Sequence, residues 1–377
     1  MNFEPDAEDK SVADTIRRFA QEVLEPRAQA IDEAGTFVDE HIPMLGELGV
    51  MGMNLPERWG GPGVSAVALY LAVEAMAGGC GSTASMVTAH YLATDSLLLG
   101  GDDTLRERYL LTASKGHSLG AFALTEPRAG SNPADMSARA VREGNGYRIT
   151  GTKHFISNAA HADFIVVYAK TDPAAGHKGI SAFVVEPSEG GVQFGAPEKT
   201  MGLRGGHVFE VAFDCWVPEV QRLGPEGTGF RTAMKVLDNG RVEVAAMCTG
   251  MAGEALEAAI KWSKLRHVDG HPISEFQGLQ WMLAEMATEL EAARLLGLRA
   301  AAMREARQRF SREASMAKLF ASEKAGKIID RALQIHGGYG YSRDLPLERL
   351  ARDVRIMRIY EGSSEVQRNI IARNLLG

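Results

Sequence analysis

The hydrophobic period changes twice along the chain, and that double change constrains the fold more than any other feature. Early on, the apolar positions Val12, Ile16, Phe19 and Val23 step by four, three and four within residues 8–30, which puts them on one helical face, with Pro26 near the end of the pattern. A Gly60-Gly61-Pro62-Gly63 loop follows, and Ser65 is placed to cap a second helical stretch over residues 66–77. Near residue 120 the spacing becomes that of strands. Asn145-Gly146 between alternating segments predicts a hairpin, and apolar runs at 163–169, 180–185 and 208–213 are divided by glycine and proline turns. From about Gly229 the helical period returns: Leu279, Leu283, Met286, Leu290 and Ala293 form one stripe, and Met316, Leu319 and Phe320 carry the theme into the next helix. The expectation is an α+β chain: helices over residues 1–120, a middle domain of antiparallel strands over 121–226, and a helical bundle over 227–377.

At 377 residues, two or three packed regions are expected. A net charge of −7 gives no general attraction to phosphate backbones or anionic membranes, so nucleic-acid binding is excluded and an anionic ligand would need a local basic patch. Cys80, Cys215 and Cys248 are too scattered for a zinc or iron–sulfur site or a disulfide framework, and read as small apolar residues in a reducing compartment. The ten histidines have no ligand spacing, and His336 reads as structural, so no metal is expected. The acidic start, Met1 to Asp6, lacks a signal-peptide pattern, and no apolar run approaches the roughly 20 residues of a membrane span, so a cytoplasmic protein is expected. Neither a Gly-x-Ser-x-Gly elbow nor a dinucleotide-binding Gly-x-Gly-x-x-Gly is present; Gly337-Gly338 is not one.

The most informative segment is Ile359-Tyr-Glu-Gly-Ser-Ser-Glu-Val-Gln-Arg368. Ser364 and Gln367 have the spacing of a capping box, so a helix should begin there, with Glu361 and Gly362 in the turn ahead of it. Two readings follow from spacing alone. Glu361 is either an acid favourably placed near a helix N-terminus or a carboxylate aimed into a cleft.

That segment resembles the C-terminal motif of the acyl-CoA dehydrogenases, in which the glutamate abstracts the α-proton of an acyl thioester. Further blocks in family order extend the resemblance over essentially the whole chain. They are Phe122-Ala-Leu-Thr-Glu-Pro-Arg-Ala-Gly-Ser131, Gly151-Thr-Lys-His-Phe-Ile-Ser-Asn158, Leu237-Asp-Asn-Gly-Arg241 and Gln334-Ile-His-Gly-Gly-Tyr-Gly-Tyr341. The resemblance implies an N-terminal helical domain, a middle β-domain and a C-terminal four-helix bundle. It implies FAD bound through Phe122, Leu124, Thr125, Gly130, Ser131, Phe155, Ile156, Ser157, Ser363 and Glu365. Thr125 and Ser157 suit a flavin edge because they are small hydroxyl residues, and Phe155 offers an aromatic face. Arg266, Gln277, Gln334, Ile335, Gly337 and Gly338 would serve a neighbouring subunit's FAD, in a homotetramer built as a dimer of dimers. Ser131, Asp238, Arg241, Tyr360 and Gly362 would contact the acyl-CoA, Glu361 would be the catalytic base, and an electron-transferring flavoprotein would accept the electrons. Such an enzyme serves fatty acid or amino acid catabolism.

Two positions depart from the family pattern. Asp269 stands where a phenylalanine normally packs near the cofactor across the subunit interface, so weaker FAD retention or an altered interface is expected; Arg128 replaces a glycine. The Leu237–Arg241 and Met316–Phe320 blocks look closest to short-chain and short branched-chain members, with pocket depth set by which of His90, Leu92, Asp95 and Leu97 face inward. Two alternatives share the scaffold: a flavin oxidase or monooxygenase, and a flavin-free binding or assembly protein.

Overall fold

In the computed structural model, which describes residues 5–377, the two changes of period coincide with two changes of secondary structure. Met1, Asn2, Phe3 and Glu4 of the acidic N-terminal stretch lie outside the described residues. Helix α1 (Ala7–Phe19) starts at Asp6, whose carboxylate accepts from the backbone of Glu8 and Asp9. The chain stays helical past Pro26: a π-helical turn over Ala20–Leu24, closed by the Glu25 amide on the Ala20 carbonyl, runs into α2 (Glu25–Ala34) and accommodates the proline's missing N–H. After the short α3 (Ile42–Glu47), Ser65 caps α4 (Ala66–Gly79) by accepting from the Ala68 amide. Then come α5 (Gly81–Gly100) and α6 (Asp103–Ala113). Every residue of α5 from Gly81 to Leu97 is buried, so this helix of small and apolar side chains forms the centre of the molecule.

Strands β1 (Gly120–Ala123), β2 (Arg139–Glu143), β3 (Gly146–Ser157), β4 (Phe164–Lys170), β5 (Ile180–Val185), β6 (Val192–Phe194), β7 (Val208–Pro218) and β8 (Arg222–Leu223) make one sheet. Its order is β6-β7-β3-β2-β4-β5-β8, with β1 beside β4. The sheet is not wholly antiparallel as expected: β1 runs parallel to β4, and β2 meets β4 in parallel at Arg139 and Lys170. The long excursion from β1 to β4 supplies the crossover that a parallel pair requires. The β2–β3 hairpin forms, but its turn is Gly144-Asn145, with Gly144 at φ 61° and Gly146 already in the strand. The β3–β7 ladder slips between Lys153 and Ile156, a bulge that carries Phe155 at φ 57°.

Helix α7 (Gly229–Leu265) passes beneath α5 and is followed by a small hairpin, β9 (His267–Val268) and β10 (His271–Pro272). Asp269 and Gly270 are its two-residue turn, at φ 51° and 84°. Asp-Gly is a favoured pair for such a turn, which gives Asp269 a local reason to be there. Helices α8 (Gln277–Glu305) and α9 (Ser311–His336) pack with α7, and α11 (Ser364–Leu376) lies on α9, completing the four-helix bundle; α10 (Leu347–Val354) leads into the last turn. The buried stripe of α9 is Ala314, Ala317, Ala321, Ala325, Ile328 and Ala332, while Met316, Leu319 and Phe320 are only half-buried. Small side chains let α9 approach α7 closely. Cys80, Cys215 and Cys248 are buried and free. Among the described residues no helix is long and apolar enough to cross a membrane.

Candidate active site

The turn before α11 is built from two consecutive left-handed residues, Glu361 at φ 51° and Gly362 at φ 92°. Glycine accepts that conformation freely, but glutamate does so at a cost of about 1–2 kcal/mol, which marks the position as one the surroundings impose. The cap differs from the expected box. Ser363, not Ser364, is the N-cap and accepts from the Val366 amide, while the Ser364 hydroxyl donates to Glu323 at 2.6 Å. Gln367 therefore lies one residue too far along for a capping box. Its amide instead donates to the carbonyls of Glu361 (3.1 Å) and Gly362 (2.8 Å).

The Glu361 side chain turns toward α7 and α5. A Cβ on Gly240 would collide with Glu361 Oε2 and lie 2.9 Å from Leu92 Cδ2. Oε2 is itself buried without a hydrogen-bond partner. Among the described residues, no backbone carbonyl takes the Glu361 N–H. Burial pushes the carboxyl up to about 7, against the pull of Lys318 and Arg241. Desolvation therefore outweighs the two cations. Lys318 of α9 is fully buried, and its Nζ donates to the Gly362 carbonyl at 2.7 Å; burial brings its ammonium down to about 8. Arg241 is buried and pairs with Asp238 at 2.6 Å, and Asp238 also accepts from Ser311 at 3.0 Å. Burial raises the Asp238 carboxyl despite that pairing. Tyr360 reaches the sulfur atoms of Met357 and Met247.

A second constellation joins β1 to the β3 bulge. The Thr125 carbonyl accepts from the His154 amide at 2.9 Å. Lys153, fully buried, donates to the Leu124 carbonyl (3.0 Å) and to Glu126 (2.9 Å). Glu126 also accepts from the Ser137 amide and hydroxyl and from the Ala138 amide. Burial alone would raise the Glu126 carboxyl, but Lys153 and those hydrogen bonds hold it below the usual range. This clamp joins the segment of Leu124 and Thr125 to that of Phe155, Ile156 and Ser157, and Phe122 packs against Tyr168 at 5.1 Å.

The residues on this surface fit a flavin. Phe155 is 59% exposed on its left-handed bulge. The hydroxyls of Thr125 and Ser157 find no protein partner among the described residues. Gly130, next to exposed Ser131, has nothing within 4 Å of where a Cβ would be. An exposed aromatic ring, stacked on its inner side by His154 at 4.1 Å, together with unpaired hydroxyls on neighbouring residues of the same clamp, suits a flat ring with a polar rim.

Other expected positions lie elsewhere. Gln334 is sixteen residues along α9 from Lys318, about 24 Å at the helical rise, so the cluster at that end does not join Glu361 within one chain. There His336, buried and bonded to the Ala332 carbonyl, stacks on Trp262 at 5.0 Å, tying the end of α9 to the end of α7. Arg266, Gln277, Gln334, Gly337 and Gly338 are exposed around this junction, and Ile335 is buried. Glu365 is exposed in the first turn of α11. On α5, Leu92 faces the carboxylate. His90 and Asp95 are structural: His90 accepts from the Gly120 amide, and Asp95 binds Asn54 and Asn239.

Sequence reasoning missed Lys318, Gln367, Lys153 and Glu126 as parts of the site. A lysine at an inward position of strand β3 was a usable signal. Lys318 offered none, because a lysine among alanines reads as a solvated helix face.

The chain is similar to known proteins along nearly its whole length. Residues 6–117, 121–215 and 227–376 match the family models of the acyl-CoA dehydrogenase N-terminal, middle and C-terminal domains. The chain is 40% identical over 379 residues to the acryloyl-CoA reductase (NADH) of Anaerotignum propionicum, covering 100% of this chain and 96% of that one. It is 38% identical over 374 residues to the short-chain specific acyl-CoA dehydrogenase of Clostridium acetobutylicum, covering 99% of each. The solved structure of butyryl-CoA dehydrogenase from Megasphaera elsdenii superposes with a TM-score of 0.98 at 35% identity over all of both chains.

Proposed function

Because the chain belongs to the acyl-CoA dehydrogenase family, we propose that it oxidises a short or branched short-chain acyl-CoA to the 2-enoyl-CoA, with Glu361 removing the α-proton. The observation that carries this reading is the Glu361 carboxylate itself: buried, unpartnered at Oε2, and poised near neutrality. FAD is the family's cofactor, and when bound it accepts the hydride from the β carbon. Phe122, Leu124, Thr125, Gly130, Ser131, Phe155, Ile156, Ser157, Ser363 and Glu365 are the residues of this chain that would hold it.

Deprotonating the α carbon puts negative charge on the thioester oxygen, and the free N–H of Glu361 is the donor this chain offers to it. Ser131, Asp238, Arg241, Tyr360 and Gly362 line the thioester's approach, and apolar Leu92 limits the acyl chain. The chain divides into units 1–120, 121–226 and 227–377. Arg266, Gln277, Gln334, Ile335, Gly337 and Gly338, too far along the bundle to serve their own Glu361, complete a neighbour's cofactor site in a homotetramer. An electron-transferring flavoprotein takes the electrons.

A second reading, reduction of a 2-enoyl thioester, is favoured by the 40% identity to an acryloyl-CoA reductase. By microscopic reversibility the same Glu361 would deliver the α-proton, and a carboxyl titrating near 7 serves either direction.

The test follows the flavin absorbance without oxygen as acyl-CoAs of different length are added to wild type and Glu361→Gln. Bleaching by a short chain in wild type only supports the oxidation. Recolouring of the reduced enzyme by an enoyl-CoA faster than any bleaching favours the reductase. Rapid recolouring by oxygen points to an oxidase, and a protein that takes up no FAD to a binding role.

A further inference from the structure

We propose that Lys318 is a positioning residue for the base: its ammonium fixes the Gly362 carbonyl and places a positive charge beside the Glu361 carboxylate. The inference rests on the reading of Glu361 as the base.

Packing gives no other reason for a lysine here. Lys318 is fully buried on α9, flanked one turn away by Ala314 and Ala321, and its one hydrogen bond is the 2.7 Å contact to Gly362. An ammonium that is buried without a hydrogen-bonded carboxylate partner is costly, so its retention points to a use. The turn it holds contains the two left-handed residues that aim the base. Gln367 supplies a second donor to the same carbonyl, and one to Glu361 as well, but without charge. The two side chains therefore divide the work: both hold the turn, and Lys318 alone also acts electrostatically.

The charged and titratable groups around this point come from every element packed on it. Arg241, Glu243 and Cys248 belong to α7, Glu323 to α9, Tyr360 and Glu361 to the turn, and Glu365 to α11. Glu243 is itself buried: burial raises its carboxyl, and Arg304 at 3.4 Å offsets its charge. Lys318 and Arg241 are the cations acting on Glu361, and Arg241 is already paired with Asp238.

The experiment compares Lys318→Met, Lys318→Gln and Gln367→Leu with wild type in two measurements on the FAD-loaded enzyme. One is the pH dependence of anaerobic flavin bleaching by the acyl-CoA that wild type oxidises. The other, made without substrate, is the infrared carboxylic-acid band that Glu361→Gln removes. Loss of the cation should move the acid limb of the rate and the titration of the band upward together by about one pH unit. The rate of Lys318→Met near pH 7 then falls about fivefold and recovers at higher pH. Lys318→Gln keeps a donor and should show the same displacement, which preserves the test if the methionine variant melts. Gln367→Leu should slow bleaching at every pH without moving the limb. An unmoved limb and band in both Lys318 variants overturns the proposal, whatever the rate. Full activity in Glu361→Gln overturns the reading of the base instead, and this inference with it.

Discussion

The Glu361 carboxylate occupies the volume that a side chain on Gly240 would need, so the base and the helix behind it fit only because residue 240 has no Cβ. Gly240→Ala should displace the carboxylate by about an ångström, since the new methyl would meet both its Oε2 and Leu92. A displacement of that size costs about a hundredfold in rate. Stopped-flow bleaching should show the loss in the rate of reduction, with the melting temperature near that of wild type. Unchanged bleaching would mean that the carboxylate works from another position.

Removing the base itself gives two readouts. Glu361→Gln should lower the bleaching rate by a factor of about 10² to 10⁴. In wild type the rate should fall as pH drops below about 7, because only the carboxylate accepts the proton. Stability runs the other way. The folded carboxyl lies above its unfolded value, so the native state binds this proton more tightly than the unfolded chain does. That contribution is fully present below the unfolded value and lost as pH rises through about 7. Glu361→Gln should therefore raise the melting temperature relative to wild type at pH 8 and have much less effect at pH 4. An equal effect at both would contradict the buried, raised carboxyl.

Lys153 and Glu126 form a buried pair, at 0% and 3% side-chain exposure, that clamps the Thr125 loop to the β3 bulge. Removing one partner strands the other, and such changes cost about 3–5 kcal/mol. Lys153→Met should be destabilised by that order in denaturant titrations and should release FAD. The double variant Lys153→Met with Glu126→Gln should recover part of the stability, because no buried charge is left unpaired. A double variant no better than the single would assign the loss to packing.

Phe155 holds φ 57° in a bulge, with its ring largely in solvent. Glycine adopts that backbone freely, so Phe155→Gly should stabilise the flavin-free protein by about 1 kcal/mol relative to Phe155→Ala. Both variants should hold FAD more weakly, by about 0.5–1.5 kcal/mol of stacking. Melting of the flavin-free protein and a fluorescence titration with FAD measure the two effects separately. Undiminished FAD affinity in both variants would remove Phe155 from the cofactor surface.

What the sequence disclosed, and what it hid, follows from the range of the forces involved. The α8 stripe through Met286 and Leu290 was legible because period and burial are local properties of one helix. The matching stripe of α9 was not, since it is made of alanines whose role is to let α7 come close. The β1–β4 pairing joins segments some forty residues apart, and no local pattern encodes a parallel partner. At the site, Glu361 stood out through a family motif, but the turn that aims it depends on Lys318 and Gln367, which reach it across the fold. The cap at Ser363 instead of Ser364 is a one-residue difference that spacing rules do not resolve.

Asp269 gives the last prediction, because two explanations of it diverge. If the acid stands in for a missing cofactor contact, Asp269→Phe should tighten FAD binding. The structure gives another account: Asp269 is the first residue of a tight turn between β9 and β10, exposed and left-handed, where aspartate is favoured and a bulky side chain is strained. Asp269→Phe should then cost about 1 kcal/mol of stability and leave FAD affinity within experimental error. Asp269→Asn, which tolerates the same backbone, should behave as wild type in both respects. Tighter FAD binding by the phenylalanine variant would instead place this turn against a cofactor, and only the end of the bundle remote from its own Glu361 presents it.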